Sequence, residues 1–226
     1  MNREQVRTKI MEIGVVAAIR VDSKEDALFA AEAVYEGGIP VLEVAMTLDS
    51  AVDAILDLAK RDPQLIVGAG SVLNAKMAQA CVDAGAQFLT SDGLHRPLVE
   101  FAARKEVVVF PGALTPTEVI AAWELGCDFV KVVPCAQIGG ETYIRSLHAM
   151  YPHIPLIAAG GVNQKTASDY IFDGAVALGI GREIVPAEAL RRRQAHRITE
   201  LARRFVGFVK SARTGKFPQR EGPYVG

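Results

Sequence analysis

Eight times along this chain a short apolar run is followed by an amphipathic, alanine-rich segment, and that alternation constrains the fold more than any single residue does. The runs fall at residues 15–21, 40–46, 65–69, 87–90, 107–110, 129–133, 156–159 and 175–178. Each has the length and the β-branched or aromatic content of a buried strand. The segments between them carry helix punctuation. Ser23 stands at an N-cap position with Asp26 three residues on, and Gly37-Gly38 stops that helix. Asp49 or Ser50 caps residues 51–60, and Asn74 caps residues 75–84, which end at Gly85. A fourth helix begins near His95-Arg96-Pro97 with proline in its first turn, and a fifth runs from Thr115-Pro116 to Leu125 and is closed by Gly126. The remaining ones follow Gly139-Gly140, span Asn163 to Phe172 ahead of Gly174, and form a basic segment after Gly179-Ile180-Gly181.

Eight strand-then-helix units predict an α/β protein of the (β/α)8 TIM-barrel type, a fold of about 250 residues. A doubly wound open sheet is the main competitor, but it places its glycine fingerprint after the first strand. Here the segment after the first run, Val21-Asp22-Ser23-Lys24, has no glycine, and the paired glycines follow the seventh and eighth runs instead. With 226 residues, half of them hydrophobic, the chain is expected to be one barrel domain over residues 1–226, its turn-rich tail at 213–226 loosely ordered. The 25 basic and 26 acidic residues leave a formal charge of −1, which gives no general pull toward nucleic acid or an anionic membrane. Arg191-Arg192-Arg193 reads as a solvated helix face. Cys81, Cys127 and Cys135 are too few and too scattered for a disulfide framework, and no Cys/His spacing resembles a zinc site. The amino terminus is polar and no run approaches the roughly 20 apolar residues of a membrane helix. The expectation is a cytoplasmic protein with no metal and no cofactor.

In a barrel, function sits at the C-terminal ends of the strands. The sixth run, Phe129-Val130-Lys131-Val132-Val133, holds a lysine among apolar residues. Burial disfavours an ammonium, and a lysine held neutral is a nucleophile toward carbonyls. Alternation places Lys131 on the face of Phe129 and Val133, so an inward-facing run carries it into the barrel. The second run, Val41-Leu42-Glu43-Val44-Ala45, embeds a carboxylate in the same way. Glu43 is a candidate general acid and base, or else half of a buried ion pair with Lys131 or Arg20. Arg20, ending the first run, suits a bidentate grip on a carboxylate or phosphate. Ser71, after Gly68-Ala69-Gly70, is a donor to a carbonyl or carboxylate, or simply turn chemistry. Gly160-Gly161 and Gly179-Ile180-Gly181-Arg182 bring backbone N–H groups where an anion could approach.

These residues resemble the 2-keto-3-deoxy-6-phosphogluconate (KDPG)/4-hydroxy-2-oxoglutarate (KHG) aldolase family. The likeness is carried by residues 41–44, 67–74, Pro111-Gly112 with residues 115–118, residues 130–134 and residues 160–162, and it extends over about residues 5–212. It implies a (β/α)8 barrel, a homotrimer and a metal-free Schiff-base mechanism, with Lys131 as the imine-forming lysine, Glu43 as the acid/base, and Pro111 and Thr47 in the substrate-binding set. Several positions depart from the family pattern. Ser71 replaces the common threonine. Thr47 stands where some members carry arginine, while others place theirs at the end of the first strand, as Arg20 does. Ala158-Ala159-Gly160-Gly161 replaces Pro-Thr-Gly-Gly, Ser91-Asp92 replaces Ser-Pro, and Gly181-Arg182 replaces Gly-Ser. Arg182 either strengthens a phosphate site or fills it.

The resemblance implies cleavage of a 2-keto-3-deoxy acid, phosphorylated or not, to pyruvate and an aldehyde. Arg20 and Ser71 would meet the pyruvyl carboxylate or carbonyl, Gly160, Gly161, Gly181 and Arg182 the distal phosphate, and Thr47 and Pro111 complete the substrate-binding set. Two rivals remain open from sequence: a phosphate-binding isomerase or synthase barrel without imine chemistry, and a non-catalytic sugar-acid-binding oligomer in which Lys131 and Glu43 only pair.

Overall fold

Because side chains alternate across a strand, every second residue of a barrel strand points to the axis and the others point to the surrounding helices. The computed structural model, which describes residues 1–215, obeys that rule except at Val176 in the last strand, where the register to its neighbour shifts by one residue. The chain runs α1 (Arg3–Ile13), β1 (Val15–Ile19), α2 (Lys24–Glu36), β2 (Val41–Ala45), α3 (Ala51–Arg61), β3 (Ile66–Gly70), α4 (Ala75–Asp83), β4 (Phe88–Thr90) and α5 (Arg96–Lys105). It continues through β5 (Val108–Phe110), β6 (Gly112–Ala113), α6 (Pro116–Glu124), β7 (Val130–Val132), a 3-10 turn (Ala136–Ile138), α7 (Gly140–Met150) and β8 (Leu156–Ala159). α8 (Ala167–Phe172), β9 (Ala175–Ile180), α9 (Ala187–Arg191) and α10 (Ala195–Arg213) complete it.

All the strands are parallel, in the order β5-β4-β3-β2-β1-β9-β8-β7-β6. The expected fifth strand, residues 107–110, is found as β5, and the chain adds a further short strand, β6, after Pro111. Proline has no N–H for the ladder, so β5 pairs with β4 before it and β6 pairs with β7 after it. The Pro111 carbonyl still accepts the Lys131 N–H at 2.9 Å, so the sheet is nearly closed into a barrel around this joint.

The larger part of the core lies between sheet and helices, and a second cluster fills the barrel itself. Val16, Val41, Ile66, Phe88, Val108, Phe129, Ile157 and Ala177 form an inner layer, with Phe110 above. Phe110 stacks on Phe88 and meets Phe129 edge-on, at centroid distances of 5.2 and 5.8 Å. Gly68 makes room for this: a Cβ there would fall 2.4 Å from the Phe88 ring. The base is closed by α1, whose Val6 and Ile10 join the inner cluster. This helix lies outside the eight expected units; Asn2 and Gln5 form its capping box. Arg3 on α1 grips Asp128 through Nε and Nη2 at 2.9 and 3.0 Å, and Asp128 also accepts the Val109 N–H at 2.8 Å. The plug is thereby tied to the strand that carries Lys131.

Two residues along each strand from the inner layer, at the C-terminal end, come Ala18, Glu43, Gly68, Thr90, Lys131, Ala159 and Gly179. Apart from Phe110 on β5, the apolar members of that ring are small, and Glu43, Thr90 and Lys131 are its buried polar members.

Two local expectations change and one is narrowed. The helix expected from Asn163 begins at Ala167, because the Asn163 side chain accepts the Lys165 N–H and closes a turn instead of capping a helix. Ser50 rather than Asp49 is the N-cap of α3, without a side-chain cap bond. Arg213, placed at the start of a loose tail, is the last residue of α10 and donates to the carbonyls of Glu12, Met11 and Val176 at 2.7, 2.6 and 2.9 Å. Residues 216–226 of that expected tail lie outside the described residues. Among the described residues no helix is long and apolar enough to cross a membrane.

Candidate active site

Lys131 is the middle residue of β7, its side chain about 5% exposed, so head and stem are both buried. Its Nζ donates to Asp92 Oδ1 at 2.9 Å and to Thr90 Oγ1 at 3.3 Å. The Thr90 hydroxyl in turn donates to Glu43 Oε2 at 2.9 Å. Lysine and glutamate, expected to meet, are therefore joined through a buried threonine rather than by a direct ion pair. Thr90 lies at the end of β4 with the same inward parity as Phe88, and Glu43 lies at the middle of β2. Gly70 makes the Glu43 position possible, since a Cβ there would fall 2.1 Å from Glu43 Oε1.

Asp92 is the counter-ion that the sequence did not single out. Its Oδ2 accepts from Ser71 Oγ at 2.7 Å, and its Oδ1, besides Lys131, lies 3.7 Å from Arg20 Nη2. Burial by itself raises the Asp92 carboxyl, but the Lys131 charge and hydrogen bond, the Ser71 hydroxyl and the Arg20 charge together hold it below the ordinary carboxylate range. Ser71 sits at φ 57°, a left-handed conformation that costs a non-glycine residue energy. The close approach of the 92–93 segment to the barrel depends on Gly112, where a Cβ would come within 2.4 Å of the Asp92 carbonyl carbon.

Of the expected site residues, Arg20, Glu43, Ser71 and Lys131 are thus brought into one network through Thr90 and Asp92. Pro111 is buried beside it and contributes the carbonyl that holds the Lys131 N–H. Thr47 is exposed in the loop after β2, and no side-chain contact joins it to the network. Gly160 and Gly161 follow β8 at φ 79° and 91°, and Gly181 with exposed Arg182 follows β9, at the same end of the barrel as Lys131. The two glycines let the loops after β7 and β8 touch: a Cβ at 160 would lie 2.7 Å from Pro134 Cα, and one at 161 would lie 2.3 Å from Ala136 Cβ. Cys135 and Ala136 N–H groups bond the carbonyls of Ala159 and Gly160 at 2.8 and 3.0 Å across that contact.

Thr90 and Asp92 escaped the sequence reading because each has an ordinary local explanation, a strand-end β-branched residue and a turn residue. The available signal was parity. Counted in step with Phe88, Thr90 falls on the inward face.

The chemistry available here is that of a buried amine with two carboxylates in reach, one directly and one through a hydroxyl. Comparisons with known proteins agree with that inventory. The family model for KDPG and KHG aldolase matches residues 6–201. The KHG/KDPG aldolase of Escherichia coli (strain K12) is 35% identical over 196 residues, spanning 87% of this chain and 92% of its own. The 2-dehydro-3-deoxy-phosphogluconate aldolase of Dickeya dadantii is 34% identical, with coverages of 85% and 90%. Among solved structures, KDPG aldolase from Legionella pneumophila with pyruvate captured at low pH as a covalent carbinolamine intermediate superposes with a TM-score of 0.82 at 30% identity, covering 88% of this chain and 97% of that one. The barrel, its lysine-centred mouth and these matches lead to one assignment: the chain belongs to the KDPG and KHG aldolase family.

Proposed function

We propose that this barrel cleaves a 2-keto-3-deoxy acid to pyruvate and an aldehyde through an imine on Lys131. The observation that carries the proposal is the buried Lys131 amine linked through Thr90 to the buried carboxylate of Glu43. In its neutral form the amine attacks the C2 carbonyl, and Glu43 moves protons through the carbinolamine as water leaves. The protonated imine then draws the electrons of the breaking C3–C4 bond into an enamine, while the C4 hydroxyl gives up its proton to Glu43 and the aldehyde departs. Glu43 returns the proton to C3, and water releases pyruvate. Arg20 and Ser71 are the groups for the pyruvyl carboxylate or carbonyl. The Gly160, Gly161 and Gly181 backbone with Arg182 suits a distal phosphate, which makes KDPG or its galactonate epimer the expected phosphorylated substrate and 4-hydroxy-2-oxoglutarate the unphosphorylated one. The corresponding aldehydes are glyceraldehyde 3-phosphate and glyoxylate. The same reading includes a homotrimer, which sedimentation would report as three times the 24.3 kDa chain, and a cytoplasmic location.

Pyruvate with borohydride is expected to leave one reduced adduct on the peptide containing Lys131 and none in Lys131→Ala. An adduct that persists in that variant removes the lysine from the mechanism. A substrate panel with and without the 6-phosphate decides the distal site, because remote binding groups contribute to transition-state stabilisation and kcat/KM should differ between the pair.

A further inference from the structure

The three groups best suited to receive a keto acid's head are all engaged by a carboxylate of the chain itself. Asp92 uses one oxygen for Lys131 Nζ at 2.9 Å, with Arg20 at 3.7 Å, and the other for Ser71 Oγ at 2.7 Å. A carboxylate spanning a lysine and a hydroxyl, with an arginine alongside, is the shape of the pyruvyl end of the substrate assigned above. The side chain is about half exposed, whereas Lys131 is not, so Asp92 reaches into the network from the rim. Its backbone is wedged against Gly112, which leaves rotation of the side chain, rather than movement of the loop, as the way out.

We propose that Asp92 is a built-in competitor for the substrate carboxylate: it occupies Arg20, Ser71 and Lys131 in the resting barrel and turns toward solvent when a keto acid takes its place. The inference rests on the assignment of Arg20 and Ser71 to the pyruvyl end. Physically it is a population argument. Apparent affinity for a carboxylate is reduced by the fraction of time the donors are free, and a carboxylate tethered within reach keeps that fraction small. Capture of Arg20 and Ser71 by substrate also takes the Asp92 carboxylate away from Lys131 Nζ, so vacating the site and uncovering the amine are one event. No covalent bond changes in this exchange.

The test uses oxamate, which has the shape of pyruvate and forms no imine. Calorimetry on the full chain should show Asp92→Ala binding oxamate about tenfold tighter than wild type, as expected if the donors are free about a tenth of the time. Asp92→Asn, which keeps the shape and loses the charge, should lie between them. Adding Arg20→Ala to Asp92→Ala should abolish the gain. Oxamate binding that is unchanged, weaker or undetectable in both natively folded single variants overturns the proposal. Borohydride trapping of pyruvate on wild-type protein is run in parallel. A missing adduct defeats the imine mechanism, while the oxamate comparison still decides the competition.

Discussion

Glu43 lies over Gly70 so closely that a methyl group at position 70 would fall 2.1 Å from Glu43 Oε1 and 2.4 Å from its Cδ. The glycine is a seat for the carboxylate and has no left-handed φ to require it. Gly70→Ala therefore meets the far end of a flexible side chain, which is able to yield, and should leave the barrel folded while displacing Glu43 from Thr90. Loss of a positioned acid/base costs about 100- to 10,000-fold. We expect kcat for keto-acid cleavage to fall in that range with a native circular-dichroism spectrum. A Gly70→Ala enzyme of full activity would show that the position of Glu43 does not matter.

Thr90 gives a finer probe of the same link. Thr90→Val keeps the shape and deletes the hydroxyl that accepts from Lys131 and donates to Glu43. A buried group left without its partner costs about 1–3 kcal/mol, and each 1.4 kcal/mol of that felt in the transition state is about tenfold in rate. The expected result is a kcat about ten- to a hundredfold lower with KM little changed, since Thr90 is assigned no contact with the substrate carboxylate. A pure KM effect would instead place Thr90 in binding.

Most of the barrel was legible because inward and outward residues alternate along the runs, with a single irregularity at Val176 in β9, and a one-residue slip would exchange core and solvent faces. What the alternation did not reveal has physical causes. α1 buries Val6 and Ile10 in the barrel base, with Met11 and Ile13 packed partly buried beside them, a short signal that a polar stretch conceals. The further strand after Pro111 depends on which neighbour each segment pairs with, a fact of closure rather than of local pattern. Lys131 and Glu43 stood out because a charge in an apolar run is anomalous. Asp92 did not, because an aspartate beside Gly93 is what a turn ordinarily contains, and its partners are 21, 39 and 72 positions away.

Asp128 offers a stability test remote from the reaction. It is buried, accepts the Val109 N–H and holds both Arg3 nitrogens. Asp128→Ala leaves an unpaired backbone donor inside the barrel wall and frees the α1 plug, so a loss of about 3 kcal/mol is expected, on the scale of breaking a buried pair. Arg3→Ala should cost less, because the Asp128 bond to Val109 survives. Urea denaturation of both variants checks the order, and equal losses would mean that the Val109 bond contributes nothing.

The first turn of α6 supplies a pH-dependent contribution. Glu118 accepts the N–H groups of Leu114 and Thr115 at 2.8 Å each, and the Thr115 hydroxyl faces the Glu118 N–H in return. The two backbone N–H bonds hold the Glu118 carboxyl below the usual glutamate range, burial opposing them only slightly. A group depressed in the folded state stabilises fully above its unfolded pKa, about 4.3, and the contribution fades as pH falls through the lower folded value. Because the side chain is largely in water, the effect is set by the cap rather than by the charge in isolation, and about 1 kcal/mol is the scale for such caps. Glu118→Gln should therefore destabilise the protein at pH 7 and lose that deficit as the pH approaches 3. A deficit that is constant with pH would assign the effect of Glu118 to packing, and one that grows on acidification would contradict the sign of the shift.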